Sequence, residues 1–294
     1  MKTGVDIGGS LTKIVTVSDS GRQYCLLEHT DAAGVAEILP REGEIYVTGC
    51  GAKEVVRRLG RHAHIAEELH SFCAGARQLV FEQGHGSDPF VLVSMGTGTS
   101  VFHVSPTSGT RAAGTGVGGG TITGLGNLLL STKDFATIME MASRGRRQRV
   151  DLMVSDLYPD AADSPVLSAL TAANFGRASA GFSGCGGPGT AKTESPADPE
   201  SPANPENPAD PENPEDPEDI ASAIVQMVVE TVAVLSIQVA RTYNTRSIVV
   251  GGSPSSHPLT RKRFLEIGDH LGHEFAFLEH GAFCGALGAI LLSR

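Results

Sequence analysis

The chain has 294 residues, of which 40% are hydrophobic, and its formal net charge is −10 at pH 7. This length suffices for one large domain or two smaller ones. Because no stretch of 18 or more consecutive apolar residues occurs, we expect no membrane span. The first residues lack the basic-then-apolar plan of a secretory signal. The 5 cysteines are scattered without C-x-x-C spacing, which is typical of reduced thiols in a cytoplasmic protein.

Most of the negative charge lies in residues 190–219, where ten acidic residues and one lysine give −9 of the total −10. The rest of the chain is therefore nearly neutral, and we expect no nucleic-acid partner. Proline occupies every third position from Pro196 to Pro217, which favours an extended polyproline backbone. Since this stretch lacks large apolar side chains, we interpret residues 184–219 as a disordered, solvated insertion. A docking arm for a partner is the alternative interpretation.

The pattern of apolar residues predicts a series of strands and helices. Strands are predicted at 3–7, 12–18, 23–29, 44–48, 90–94, 100–104, 247–250 and 274–278, and helices at 35–39, 52–59, 66–82, 119–130, 133–143, 220–243, 258–272 and 282–292. Strands followed by alternating helices and strands occur twice, which indicates a duplicated α/β unit with two lobes. We place the lobes at residues 1–88 and 89–294, with the insertion inside the second.

Glycine-rich stretches follow several of the predicted strands. They are D6-I-G-G-S10, M95-G-T-G-T-S100, G114-T-G-V-G-G-G-T-I-T-G124 and V250-G-G-S253. Each alone is weak evidence, because glycine in a turn usually serves the backbone conformation. None has the spacing of a P-loop or of a dinucleotide-binding turn. Backbone N–H groups from two opposing hairpins could instead hold a polyphosphate between them.

Five longer motifs occur in one order along the chain. They are G4-V-D-I-G-G-S-L-T-K-I-V15, S94-M-G-T-G-T-S100, R111-A-A-G-T-G-V-G-G-G-T-I-T-G-L-G126, L170-T-A-A-N-F-G176 and E279-H-G-A-F-C-G-A-L-G-A289. Together they resemble the type II pantothenate kinases, which belong to the acetate/sugar kinase, heat-shock chaperone and actin superfamily. The resemblance runs from residue 3 to residue 292, interrupted by the insertion. It implies a duplicated actin-like ATPase (ribonuclease H-like) fold, with the nucleotide in the cleft between two lobes.

The resemblance also implies a reaction. The γ-phosphoryl group of ATP would pass to the primary hydroxyl of pantothenate, giving 4'-phosphopantothenate in the first step of coenzyme A biosynthesis. ATP and Mg²⁺ are the implied cofactors, and a cytoplasmic homodimer is the implied assembly. The residues implied in cofactor binding are Asp6, Ile7, Gly8, Gly9, Ser10, Leu11, Thr12, Lys13, Gly96, Thr97, Gly98, Thr99, Gly119, Gly120, Thr121, Ile122, Thr123, Phe135 and Ser253. Among them, Asp6 would contact the metal through water, and Phe135 matches an aromatic position near the adenine.

Two residues match the catalytic positions of the family. Glu68 is the expected general base, and Arg111 is expected to stabilise the transferred phosphoryl group. Glu67 is the alternative base; neighbouring residues on a helix point about 100° apart, so only one of the two can face the cleft. His70 stands where the family usually has Asp.

Two other functions remain open from the sequence. One is another small-molecule, sugar-type kinase of the same superfamily, and the other is a non-catalytic nucleotide-binding homologue. A metal site at His62, His64 and His70 is disfavoured by their spacing.

Overall fold

A computed structural model describes residues 1–28, 32–85, 89–158, 170–178 and 216–292. The chain divides into two compact units, one made of 1–124 with 228–294 and the other of 125–227. The predicted lobe boundary between residues 88 and 89 remains a prediction.

The helices and strands largely follow the predicted order. The strands are β1 (Lys2–Ile7), β2 (Leu11–Ser18), β3 (Gly21–Glu28), β4 (Glu44–Thr48), β5 (His64–Ile65), β6 (Phe90–Met95), β7 (Thr99–Val104), β8 (Gly109–Thr115), β9 (Leu152–Met153), β10 (Thr171–Ala173), β11 (Ser247–Gly251) and β12 (Glu274–Phe277). The helices are α1 (Ala32–Ile38), α2 (Ala52–Leu59), α3 (Glu68–Glu82), α4 (Gly119–Leu130), α5 (Phe135–Arg144), α6 (Val154–Leu157), α7 (Pro217–Thr242), α8 (Pro258–Leu271) and α9 (Cys284–Leu291). Strands β5, β8, β9 and β10 and helix α6 were not predicted.

The larger unit contains two five-stranded mixed sheets with the same plan. The first has the order β3-β2-β1-β4-β5 and the second the order β12-β11-β6-β7-β8. In each, three consecutive antiparallel strands form one side, and two parallel strands extend the sheet beyond the first of the three. This repetition confirms the predicted duplication.

Strand β1 separates two groups of side chains. Val5 and Ile7 pack into a core with residues of α1 and α2, including Val35 and Val55. Gly4 lies on the opposite face of the strand, directly against the backbone of α9 at Ala286. This alternation follows from the two-residue period of a strand.

Helices α3 and α9 pack against each other at very short range. A Cβ atom added to Gly75 would lie 2.0 Å from the carbonyl oxygen of Cys284, and one added to Gly288 would lie 1.7 Å from that of Ser71. Glycine is therefore needed at both positions for the two backbones to touch. The contact fixes the position of α3, whose first residue is Glu68.

The insertion lies outside the described residues up to position 215. Pro217 opens helix α7, so residues 217–219 are helical and the prediction of an insertion extending to 219 is wrong at this end. Proline is well tolerated at the first position of a helix, where its missing N–H has no partner to lose. Glu218 and Asp219 add favourable negative charge to the first turn.

Helix α7 has the length and apolar composition of a membrane-crossing helix. However, 67% of its most apolar 18-residue stretch is buried within the protein. Core helices of globular proteins have the same properties.

Candidate active site

Two of the glycine loops meet. The turn between β1 and β2 is closed by the Gly8 N–H, which donates to the carbonyl of Leu11 at 3.0 Å, and the turn between β6 and β7 by the Gly96 N–H, which donates to Gly98 at 2.8 Å. The hydroxyl of Ser10 in the first turn and that of Thr97 in the second form a hydrogen bond of 3.0 Å. The structure therefore brings together the two loops that the sequence predicts as a phosphate cradle.

The start of α4 is hydrogen-bonded to the second loop. The N–H groups of Gly119 and Gly120 donate to the carbonyls of Gly96 and Thr97 at 2.8 and 2.9 Å. The Thr99 hydroxyl donates to the carbonyl of Val117 at 2.8 Å. These bonds join the second loop to the residues at the start of α4.

The remaining residues predicted along α4 are also engaged within the protein. The side chain of Ile122 is fully buried. The hydroxyl of Thr121 donates to the carbonyl of Gly116 at 3.2 Å, and that of Thr123 donates to the carbonyls of Gly119 and Gly120. The two threonine hydroxyls therefore bind backbone carbonyls at and just before the first turn of α4.

Asp6 lies at the end of β1, immediately before the first loop. Its side chain is almost completely buried, and burial raises its pKa from 3.8 to about 6; the charge of Lys13 partly opposes this shift and that of Glu68 adds to it. Lys13 faces Asp6 across the β1–β2 pair. A Cβ added to Gly8 would lie 3.1 Å from the Lys13 ammonium. A carboxylate and an ammonium thus flank the first loop.

The structure distinguishes the two adjacent glutamates at the start of α3. Glu67 is the N-cap residue, and its carboxylate accepts the His70 N–H at 2.7 Å and lies 3.1 Å from His70 Nδ1. Glu68 is exposed at the first helical position, and its negative charge contributes to the raised pKa of Asp6. Glu67 therefore has a structural partner in His70, whereas the charge of Glu68 contributes to the raised pKa of Asp6, which precedes the first loop.

Arg111 extends from β8 toward the neighbouring strand β7. Its Nε lies 3.4 Å from Oγ of Ser100, which directly follows the second loop. A Cβ added to Gly114 would come within 2.0 Å of the guanidinium, so the glycine leaves room for it. Ser100 was not predicted as a site residue, although it is the final residue of the G-T-G-T-S motif.

Ser253 follows β11, and its Oγ is buried without a hydrogen-bond partner among the described residues. The preceding Gly252, with φ of 102°, lies against the backbone of Met95 at the end of β6. This contact places Ser253 close to the second loop. Phe135 belongs to the other compact unit, where it is the first residue of α5, and its proposed role near the adenine stays a prediction.

The three histidines considered as metal ligands have other contacts. His62 and His64 pack edge to face with ring centroids 4.5 Å apart, and His64 stacks on Tyr46. Within residues 1–28, 32–85, 89–158, 170–178 and 216–292, no group of three or more His, Cys, Asp or Glu residues is arranged to hold a metal ion.

Known proteins are similar to this chain over most or all of its length. The Fumble family model matches residues 61–292. The chain is 33% identical over 296 residues to the type II pantothenate kinase of Staphylococcus haemolyticus, with 100% of both chains covered. It is 31% identical over 297 residues to that of Staphylococcus aureus (strain USA300), again with 100% of both covered.

Two solved structures have a similar fold. Component A of (R)-2-hydroxyglutaryl-CoA dehydratase from Acidaminococcus fermentans is 16% identical with a TM-score of 0.58, covering 99% of this chain and 96% of that one. A ROK family glucokinase from Streptomyces griseus, in complex with glucose and AMPPNP, is 14% identical with a TM-score of 0.50, covering 99% and 98%. At such low identity these similarities show the fold alone, which is the duplicated actin-like architecture.

Proposed function

Because the chain belongs to the Fumble family and is related over its whole length to the type II pantothenate kinases, we propose that it transfers the γ-phosphoryl group of ATP to the primary hydroxyl of pantothenate. The product would be 4'-phosphopantothenate, and the step would be the first of coenzyme A biosynthesis. The observation that carries the proposal is the contact between the two glycine loops at Ser10 and Thr97, with Asp6 beside it. We further propose that the enzyme acts in the cytoplasm as a homodimer.

The two loops suit phosphoryl transfer because this reaction depends mainly on positioning and on neutralising charge. In the proposed complex, the loop from Gly8 to Ser10 and the loop from Gly96 to Thr99 hold the β- and γ-phosphates. The Lys13 ammonium, next to Gly8, supplies positive charge on the same side. Ser253, with its unpartnered hydroxyl, would border the nucleotide.

The residues present also fit a magnesium ion. Mg²⁺ usually keeps several waters and binds one or two carboxylates together with substrate phosphates, so a large cluster of acidic ligands is not required. Asp6 is a buried carboxylate at the mouth of the first loop and would hold the hydrated ion through water. When bound, the ion supplies positive charge that offsets the charge of the transferred phosphoryl group.

We assign the general base to Glu68. The base must accept the proton of the attacking hydroxyl and must therefore lie near the transferred phosphoryl group. Glu68 is exposed and its charge adds to the raised pKa of Asp6, whereas Glu67 caps α3 through His70. The structure thus supports the assignment made from the resemblance.

We assign the stabilisation of the transferred phosphoryl group to Arg111. Its guanidinium lies beside Ser100, one residue after the second loop. Guanidinium groups bind phosphate oxygens through two parallel donors. A solvent-exposed arginine on an edge strand is the alternative, and it would leave turnover unchanged when removed.

The two other candidate functions are distinguished by assay. A sugar-type kinase would phosphorylate N-acetylglucosamine or a related hexose in preference to pantothenate. A non-catalytic homologue would bind ATP and produce no phosphorylated acceptor. Incubation of the purified protein with ATP, Mg²⁺ and each labelled acceptor separates these outcomes, and the proposal requires pantothenate to be the preferred substrate.

A further inference from the structure

Thr48 is the last residue of β4, and among the described residues it is one of two fully buried threonines whose hydroxyl has no hydrogen-bond partner. It is completely buried, and its Oγ1 has no hydrogen-bond partner among the described residues. Burying an unpaired hydroxyl costs desolvation free energy that no hydrogen bond within the protein offsets. Native structures keep few such groups, and each calls for an explanation.

Thr48 is the direct neighbour of Asp6 on the adjacent strand. The two residues are register partners in the parallel β1–β4 pair, so their side chains project from the same face of the sheet. Neighbouring strands lie about 4.8 Å apart, which puts the hydroxyl and the carboxylate within reach of each other. They are not hydrogen-bonded to each other in the structure.

The turn that follows Thr48 and helix α9 together enclose the Asp6 carboxylate. A Cβ added to Gly49 would lie 2.8 Å from Oδ1 of Asp6, and one added to Gly285 would lie 2.6 Å from Oδ2. The Gly51 N–H and the Cys50 thiol both donate to the carbonyl of Ile7 at 3.3 Å. The turn after β4 and the start of α9 therefore pack closely around Asp6, which precedes the first phosphate loop.

We propose that Thr48 is a positioning residue for Asp6, and that its hydroxyl donates to the Asp6 carboxylate when Mg·ATP is bound. The bond would fix the orientation of the Asp6 carboxylate, which would hold the hydrated ion through water. This inference rests on the proposed nucleotide site, although it does not depend on which acceptor is phosphorylated.

The alternative is that Thr48 only fills space in the core. Thr48→Val distinguishes the two, because valine has nearly the same shape and lacks the hydroxyl. If the residue were merely structural, removing an unpaired buried hydroxyl would preserve or raise stability and leave nucleotide binding unchanged. If it positions Asp6, the variant gains stability and loses function, as is common at functional sites.

The experiment compares three variants with the wild type. Binding of ATP is measured by calorimetry with Mg²⁺ and with EDTA, thermal midpoints are measured without nucleotide, and kcat and KM are measured with pantothenate. For Thr48→Val we expect an unchanged or higher midpoint, Mg·ATP affinity and kcat lowered about tenfold, and KM for pantothenate within about twofold. Thr48→Ser should restore binding and turnover. Thr260→Val is the matched control, since Thr260 is also fully buried with an unpartnered hydroxyl but lies on α8.

The outcomes separate this inference from the proposed function. Wild-type Mg·ATP affinity and turnover in Thr48→Val, or failure of Thr48→Ser to rescue, would overturn the role of Thr48. A wild-type protein inactive toward pantothenate would overturn the proposed substrate alone, because the Mg²⁺-dependent binding of ATP is still measured. Should Thr48→Val not fold, Thr48→Ala and Thr48→Ser form a second pair that differs in the hydroxyl. Equal Mg·ATP affinity in that pair would contradict the proposal, and weaker binding by Thr48→Ala would support it.

Discussion

Ser10 and Thr97, separated by 87 positions in the chain, share a hydrogen bond of 3.0 Å between their hydroxyl oxygens. Each residue lies in the turn after the first strand of its own five-stranded sheet. The duplicated fold thus brings two equivalent turns face to face. A polyphosphate bound between them would replace this contact with bonds to its own oxygens, because both hydroxyls can donate.

The two glutamates at the start of α3 should respond differently to the same substitution. Glu68→Gln should lower kcat by about 10²–10⁴-fold while sparing ATP binding, because the acceptor hydroxyl loses its base. Glu67→Gln should leave kcat within a few-fold and lower stability by about 0.5–1 kcal/mol through a weaker helix cap. Steady-state kinetics and thermal unfolding of both variants check this. Normal turnover of Glu68→Gln together with inactivity of Glu67→Gln would reverse the assignment.

The ionised carboxylate of Asp6 should lower the free energy of unfolding, although the proposed function requires it. Its pKa in the folded protein is about 6, against 3.8 for an ordinary aspartate, because it is buried. Its ionisation therefore opposes folding: the stability associated with the protonated form is fully present below pH 3.8 and is lost as pH rises through 6. Asp6→Asn should be more stable than the wild type by roughly 2–3 kcal/mol at pH 8, and the difference should shrink toward pH 4.

Denaturant unfolding of both proteins at several pH values measures this difference directly. Asp6→Asn should also lose Mg²⁺-dependent turnover, because a neutral amide attracts the hydrated ion less strongly. A variant that is less stable than the wild type at pH 8 would contradict the electrostatic account of this site.

The position of the Arg111 guanidinium should depend on the absence of a side chain at Gly114. Gly114→Ala would place a Cβ within 2.0 Å of the guanidinium and so should displace it. We expect both Arg111→Ala and Gly114→Ala to lower kcat about 10²–10³-fold, as losses of transition-state stabilisation commonly do. Gly116→Ala is a suitable control, since a Cβ there would meet no atom within 4 Å. Equal turnover in the two glycine variants would argue against a catalytic position for the guanidinium.

The acidic segment should tolerate deletion up to the start of α7 and no further. Removing residues 190–215 should leave kcat and KM within a few-fold of the wild type. Removing 190–219 should also lower stability, because buried Asp219 accepts the Arg146 N–H at 2.5 Å and pairs with Arg149 at 3.3 Å. Breaking a buried pair by removing one partner costs about 3–5 kcal/mol. Thermal midpoints of the two deletions test this, and equal midpoints would show that Asp219 is unimportant.

The regular elements were predictable because their apolar residues follow a period. Strand β4 (Glu44–Thr48) and helix α2 (Ala52–Leu59) have the predicted bounds. Strand β8 was missed, because G109-T-R-A-A-G-T115 has no apolar alternation and owes its conformation to pairing with β7. Its position matters for function, since β8 carries Arg111.

The candidate site was only partly predictable. The glycine loops are visible in the sequence because tight turns need glycine, but their contact through Ser10 and Thr97 depends on the packing of the two sheets. The register of the motif already favours Glu68 over Glu67 as the base, and the helix cap formed by Glu67 adds support that the sequence does not contain. Thr48 gave no signal, because the lack of a partner for its hydroxyl is a property of its burial and register.

The most direct test of the central claim is the identity of the phosphorylated product. Wild-type protein and Glu68→Gln are each incubated with ATP, Mg²⁺ and pantothenate, and the products are analysed by mass spectrometry. We predict 4'-phosphopantothenate with the wild type and a strongly reduced yield with Glu68→Gln. The absence of phosphopantothenate with the wild type, at all substrate and metal concentrations tested, would contradict the account.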